Sequence, residues 1–147
     1  MRIYLAAAMT HTGRDLGAIQ ALLQCLESEG HEVPTRHVSD PRGREVEGEI
    51  SDVELARRDL GWVAGCDALV AEVSTPSHGV GVEVAAALAA GKRVLLAYRR
   101  GTVVSRLLLG LPEVEILAYA NTSEACEGVR AFLARVQRTL ADARSGS

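Results

Sequence analysis

Two carboxylates stand where a bare charge is costly, and together they would suit cleavage of a glycosidic bond. Glu83 follows Gly79-Val80-Gly81 at the head of the alanine-rich run PSHGVGVEVAAALAAGK, residues 76–92. Asp59 falls, on a helical projection of residues 50–66, inside the arc occupied by Val53, Leu55, Ala56, Leu60, Val63 and Cys66. A carboxylate on an apolar stripe is expensive unless it is paired, protonated or wet. Desolvation would raise its pKa toward that of a general acid. Glu83, expected in the first turn of its helix, would be held ionised by the helix dipole and could attack an electrophilic carbon. One anion and one proton donor facing each other across a sugar ring form the pair that glycosyl transfer needs. Each acid also has a plainer reading: Glu83 as a helix-start residue, Asp59 as the partner of an arginine or a boundary position. Asp52, on the same side of its helix as Asp59, is the weaker candidate and suits a capping role.

The neighbours of these acids offer a second kind of chemistry. Gly79 and Gly81 would let a ligand approach the backbone, with Ser77 and the N–H groups of the following helix forming an anion cradle. The same glycines would fit a tight strand-to-helix turn. The dinucleotide fingerprint is absent, because Val84 stands where its third glycine belongs, and no Gly-Lys-Ser/Thr follows. Tyr4 could orient either carboxylate through its hydroxyl, or serve as a core strand tyrosine. Ser105, before RLLLG, suits a helix cap or a phosphate contact. His11, His31, His37 and His78 lack metal-ligand spacing, though His11 and His78 fall in the candidate ligand loops.

These residues need strand ends and helix starts to position them. Residues 2–8 read as a buried strand, and Leu16, Ile19, Leu22, Leu23 and Leu26 recur at helical spacing until Gly30. EVPTRHV, residues 32–38, reads as a weaker strand interrupted by Pro34, with His37 at its end. A polar loop follows. A helix opened by Glu49 or Ser51 then runs to about residue 66. Residues 67–73 form the clearest buried strand, and residues 80–90 a helix stopped by Gly91. Strands at 92–98 and 114–119 flank a loop with a short helix. The last helix carries Val129, Phe132, Leu133, Val136 and Leu140 on one face. Strict alternation of strand and helix calls for a flavodoxin-like doubly wound α/β fold, with five parallel strands and helices on both faces. Ligands of such sheets sit beyond the carboxyl ends of the strands.

The 147 residues suit one catalytic domain, residues 1–141, with 142–147 expected as a disordered tail. A net charge of −3 without a Lys/Arg cluster argues against a nucleic-acid polymer as partner but not against a single nucleotide. Cys25, Cys66 and Cys126 lack the paired spacing of a zinc site or disulfide framework, so free thiols in a reducing cytoplasm are expected. The first residues are expected to open a strand rather than a signal peptide, and no apolar run is long enough to span a membrane.

RDLGWVAGCDALVAEVSTPSHGVGVEVAAALAAGKRVLL, residues 58–96, resembles the signature of the 2'-deoxynucleoside 5'-monophosphate N-glycosidases within the nucleoside 2-deoxyribosyltransferase family. The matching positions are Asp59, Leu60 and Trp62, then AEV, then Pro76, Ser77, Gly79, Val80, Gly81 and Glu83. IYL, RHV and TVVSRLLLG continue the likeness through most of the domain. The resemblance implies a homodimer, with Glu83 as nucleophile on C1' and Asp59 protonating or positioning the leaving base. It implies that Tyr4 assists them. Ser77, the backbone of Gly79 to Gly81, and Ser105 of the other subunit would hold the 5'-phosphate, and His37 would lie near the base. No metal or organic cofactor is implied. Two departures stand out. The family's Gly-Ser after the first strand is replaced by Ala7, Ala8, Met9 and Thr10, leaving Thr10, Thr12 or Arg14 to substitute. The family's tyrosine before the nucleophile is Val82. The expected activity is hydrolysis of a (deoxy)nucleoside monophosphate. Deoxyribosyl transfer to another base, a CMP-type ribonucleotide hydrolase, and a nucleotide-binding module without turnover are the alternatives.

Overall fold

The computed structural model describes residues 1–146, without the side chain of Val46; Ser147, the last residue of the expected tail, lies outside the described residues. A four-stranded parallel sheet is formed by β1 (Ile3–Ala7), β2 (Ala68–Glu72), β3 (Arg93–Arg99) and β4 (Val114–Tyr119), in that spatial order. Six helices connect and cover it: α1 (Leu16–Ser28), α2 (Gly43–Glu47), α3 (Asp52–Gly65), α4 (His78–Ala89), α5 (Arg106–Leu109) and α6 (Thr122–Ser145).

The sheet has four strands, not the expected five. Glu32 makes a single parallel bridge to Arg2 on the outer side of β1. Ile3 N–H donates to Glu32 O at 2.8 Å, and Glu32 N–H to Met1 O at 3.0 Å. Pro34 then supplies no N–H, and the next β1 donor is met by a side chain: Leu5 N–H donates to Thr35 Oγ1 at 3.0 Å. The chain turns at once into a 3-10 helix, Arg36–Ser39, so His37 lies on that helix and not at a strand end. The loop after it also contains the short helix α2.

Period-two alternation divides the strands between two cores. Ile3, Leu5 and Ala7 face α1 and α6, packing with Ile19, Leu22, Val129 and Phe132. Tyr4 and Ala6 face the other way, toward Val63 of α3 and Val80 and Val84 of α4. Helices therefore cover both faces. Gly30 and Gly91, at φ of 78° and 68°, follow α1 and α4 in the left-handed conformation that ends helices. Ser51 opens α3 with a capping box completed by Glu54. The apolar stripe expected for α3 is only partly used. Val63 is buried within it, while Val53, Ala56 and Leu60 are exposed. Helix α6 continues through Ser145, past the residue at which the tail was expected to begin. Among the described residues no helix is long and apolar enough to cross a membrane.

Thr35 is fully buried, so its hydroxyl is the acceptor on which Leu5 N–H depends. Thr35→Val should cost about 1–3 kcal/mol of unfolding free energy in urea titration, with Thr35→Ser retaining most of it. Equal stability of the Val variant would mean that another group satisfies Leu5.

Candidate active site

From β1 the chain passes to the outer bridge at Glu32 and returns to β2 on the opposite side of β1. The switch point, and the crevice it opens, therefore lie beyond the carboxyl ends of these two strands. A cavity of about 270 Å³ sits there, and Tyr4, Asp59, Glu83, Ser77, Gly79, His37 and Thr10 all line it. Residues far apart in sequence thus meet where the topology requires.

Tyr4 projects from β1 and donates to Glu83 Oε1 at 2.8 Å. Burial, then the charges of Glu83 and Asp59, push the Tyr4 phenol far above its ordinary range, which keeps it a donor. Glu83 differs from expectation in one respect. Helix α4 starts at His78, with Ser77 as N-cap accepting from Val80 N–H at 3.3 Å. Glu83 therefore lies beyond the first turn, where the dipole weakens. Burial pushes its carboxyl up to about 7, the charges of Asp59 and Glu47 add to this, and the Tyr4 hydrogen bond opposes it. Glu83 is thus the carboxyl poised between protonation states near neutral pH.

Asp59 is mostly buried and ion-paired: Arg58 Nη2 lies 2.8 Å from its Oδ1. Of the alternatives for this residue, the arginine pair is the one found, with Asp59 itself lining the cavity. Arg58 also reaches Glu47 Oε1 at 2.7 Å, and that same oxygen lies 2.9 Å from His37 Nε2. The Arg58 guanidinium stacks 4.7 Å above the centre of the Trp62 ring. Glu47 and Arg58 were not anticipated. Arg58 adjoins Asp59 in sequence, a usable signal; Glu47 sits in a stretch with no periodicity, and only folding brings it to the wall. Asp52 is exposed at the start of α3, away from this cavity.

Gly81 and Ala8 do not line this cavity, and Ser105, expected from the other subunit, lies outside it in its own chain. Gly81 and Ser105 line a neighbouring groove of about 750 Å³, walled by Val82, Val103, Val104, Leu107 and Leu108. Ser105 takes the N-cap position of α5, but its side chain makes no capping hydrogen bond. Ala8 is buried, and its carbonyl accepts from Arg14 at 3.3 Å. Arg14 also donates to Val38 O at 2.7 Å and Asp40 O at 2.8 Å. Its guanidinium is spent on anchoring the loop after β1. Neither Gly79 nor Gly81 needs a left-handed backbone, since both lie within α4. A Cβ at Gly79 would meet only Ser77 Oγ at 3.8 Å, and one at Gly81 nothing within 4 Å. What these glycines provide is open room at the helix start.

A poised carboxyl, a tyrosine donor and a helix N-terminus beyond the switch point of a doubly wound sheet are what a glycosyl-bond enzyme of the α/β class presents. The chain belongs to the nucleoside 2-deoxyribosyltransferase family, whose profile matches residues 3–126. It is 39% identical over 137 residues to a Thermofilum pendens protein named 2'-deoxynucleoside 5'-phosphate N-hydrolase 1, covering 90% of this chain and 95% of that one. It is 34% identical over 113 residues to the Danio rerio 5-hydroxymethyl-dUMP N-hydrolase, covering 75% of this chain and 78% of the other. The solved structure of a Clostridium botulinum CMP N-glycosidase has the same fold, with a TM-score of 0.67 at 24% identity over 90% of this chain and 99% of that one.

The raised Glu83 pKa has a sign that can be tested. Between its ordinary 4.5 and about 7 the folded protein holds a proton that the unfolded chain has released. Stability contributed at this position is therefore lost as pH rises through that window. Glu83→Gln should be more stable than wild type at pH 8 by on the order of 1–3 kcal/mol, the gain shrinking toward zero as pH falls to about 4.5. A pH-independent difference in denaturant midpoints would contradict this.

Proposed function

We propose that this protein hydrolyses the N-glycosidic bond of (2'-deoxy)nucleoside 5'-monophosphates, releasing free base and sugar 5-phosphate. The observation that carries the reading is the convergence of Tyr4, Glu83 and Asp59 in one cavity at the N-terminus of α4. The names of the relatives support the substrate class. Ionised Glu83 attacks C1' as the C1'–N bond breaks, and the bonding pair leaves with the base. Asp59, which lines the same cavity, positions that base. The departing base takes its proton from the water that follows it. The hydroxide so formed adds at C1', breaking the C1'–O bond to Glu83 and releasing its carboxylate, so that one water is consumed and no proton is left over. Ser77 and the first N–H groups of α4 hold the phosphate, whose remote binding energy fixes C1' against Glu83.

The site is completed by a second copy of the chain. The cavity is small beside ligand pockets of roughly 300–1,000 Å³. Its neighbour, the apolar groove, exposes Val103 at 91%, Leu107 at 77% and Val82 at 58%. Surfaces of this kind mark interfaces. A homodimer across this face brings the uncapped Ser105 hydroxyl of each subunit to the phosphate of the other. The cysteines are free thiols, which fits a reducing, cytoplasmic setting.

Incubation with each deoxynucleoside monophosphate, the matching nucleosides and the ribonucleotides, with and without an acceptor base, tests the reaction. Free base from a monophosphate without acceptor is expected. Exchange that requires an acceptor would make the protein a transferase, and binding without products a module. Glu83→Ala should nearly abolish turnover, and Asp59→Asn should lose roughly a hundredfold in kcat. Tyr4→Phe removes the bond that lowers the Glu83 pKa, so the rising limb of kcat/KM should move to higher pH.

The dimer has its own check. Leu107→Glu should give a monomer by light scattering and lose activity together with assembly. A fully active monomer would remove the partner from the site.

A further inference from the structure

Behind the cavity, on the other face of the sheet, lies a carboxylate the reaction does not use. Glu72 ends β2 and is 1% exposed. Among the described residues no basic side chain is ion-paired with it. Its Oε1 accepts instead from Tyr119 O–H at 2.9 Å, from Ser74 N–H at 3.3 Å and from the Ser74 hydroxyl. A buried acid without a cation is costly, and this one is satisfied by donors that come from two different strand ends. Ser74 passes the connection on, because its Oγ accepts from Arg99 N–H at 2.8 Å. Arg99 closes β3, and its carbonyl accepts from the Thr102 hydroxyl at 2.7 Å at the start of the connection to α5. Val73 N–H donates to Ala97 O at 2.8 Å, extending the β2–β3 pairing into the same loop. One carboxylate thus ties the ends of β2, β3 and β4 at the point where the chain departs for Ser77 on one side and Ser105 on the other.

We infer that Glu72, acting through Ser74, is a positioning residue that sets the loops carrying Ser77 and Ser105 for the substrate's phosphate. The inference rests on the phosphate assignment made above. It predicts that loosening the clamp weakens phosphate recognition while leaving the chemistry at C1' intact. Tyr119 holds the same carboxylate from β4, and its carbonyl accepts from Arg100 N–H at 2.8 Å, so it belongs to the clamp; the comparison of monophosphate with nucleoside is what separates positioning from general stability.

The test compares Ser74→Ala, Ser74→Thr and Tyr119→Phe with wild type. KM and kcat are measured on a nucleoside monophosphate, and kcat/KM on the matching nucleoside. Thermal unfolding and calorimetric binding of 2-deoxyribose 5-phosphate are measured alongside. Ser74→Ala should raise KM for the monophosphate and Kd for the sugar phosphate by roughly tenfold, with kcat within about twofold and the nucleoside unaffected. Ser74→Thr should restore both values. Tyr119→Phe, which frees the same carboxylate from β4, should raise KM and Kd for the phosphorylated ligands in the same direction by a smaller factor, again with the nucleoside unaffected. Should Ser74→Ala lose only thermal stability, or weaken nucleoside and monophosphate equally, the positioning role is overturned. If wild type releases no base from any monophosphate, the proposed reaction fails; the sugar-phosphate Kd still decides for or against the clamp.

Discussion

The hydrogen bond from Tyr4 to Glu83 is the constraint on which the rest of the molecule depends. It joins the middle of the first strand to the second turn of α4 across 79 residues of sequence, and it does so inside a cavity. To make it, β1 must present Tyr4 to the α3/α4 face, and α4 must begin early enough to bring Glu83 over the strand end. The parallel sheet supplies the first condition through its alternation. The Ser77 cap supplies the second by starting the helix at His78. The electrostatic result follows: a carboxyl taken from water and set among anions, yet given one good donor, titrates near neutrality.

The surroundings of that bond divide the labour. The α3/α4 side holds the residues of the proposed chemistry, with Asp59 held by Arg58 and Glu47 shared between Arg58 and His37. On the α1/α6 side, the buried Glu72 and Tyr119 fasten the strand ends from beneath. Arg14 fastens the β1–α1 loop in the same spirit, through three carbonyl and sulfur contacts with Ala8, Met9 and Val38 and a fourth with Asp40. Nucleotide crevices at switch points are built from loops, and here each loop is held by a side chain drawn from a neighbouring segment.

Much of this was legible in the residues. Alternating strand and helix implied the doubly wound sheet, and Asp59 and Glu83 could be singled out as acids in apolar company. The limits were physical. Pro34 hinted at an interruption, but nothing local revealed that the Thr35 side chain would replace a ladder bond and reduce a strand to one bridge. The sequence pattern starts α4 at Val80, two residues late, which sets Glu83 in a first turn and makes it look firmly ionised. Burial, a tertiary property, reverses that bias. Glu47 reaches the cavity only because folding sets it between Arg58 of α3 and His37 of the 3-10 helix, and such a contact leaves no periodic trace. The exposed Val53 and Leu60 on α3 show the converse: an apolar stripe read from spacing alone does not establish that the fold buries it.

The most direct measurement is a carbon-13 NMR titration of the Glu83 carboxyl, assigned by loss of its signal in Glu83→Gln. The account predicts a midpoint at about 7, well above the ordinary 4.5 of a glutamate. A midpoint at the ordinary value would place Glu83 in water, without its enclosure and without the strained balance with Tyr4, and would contradict the site as described.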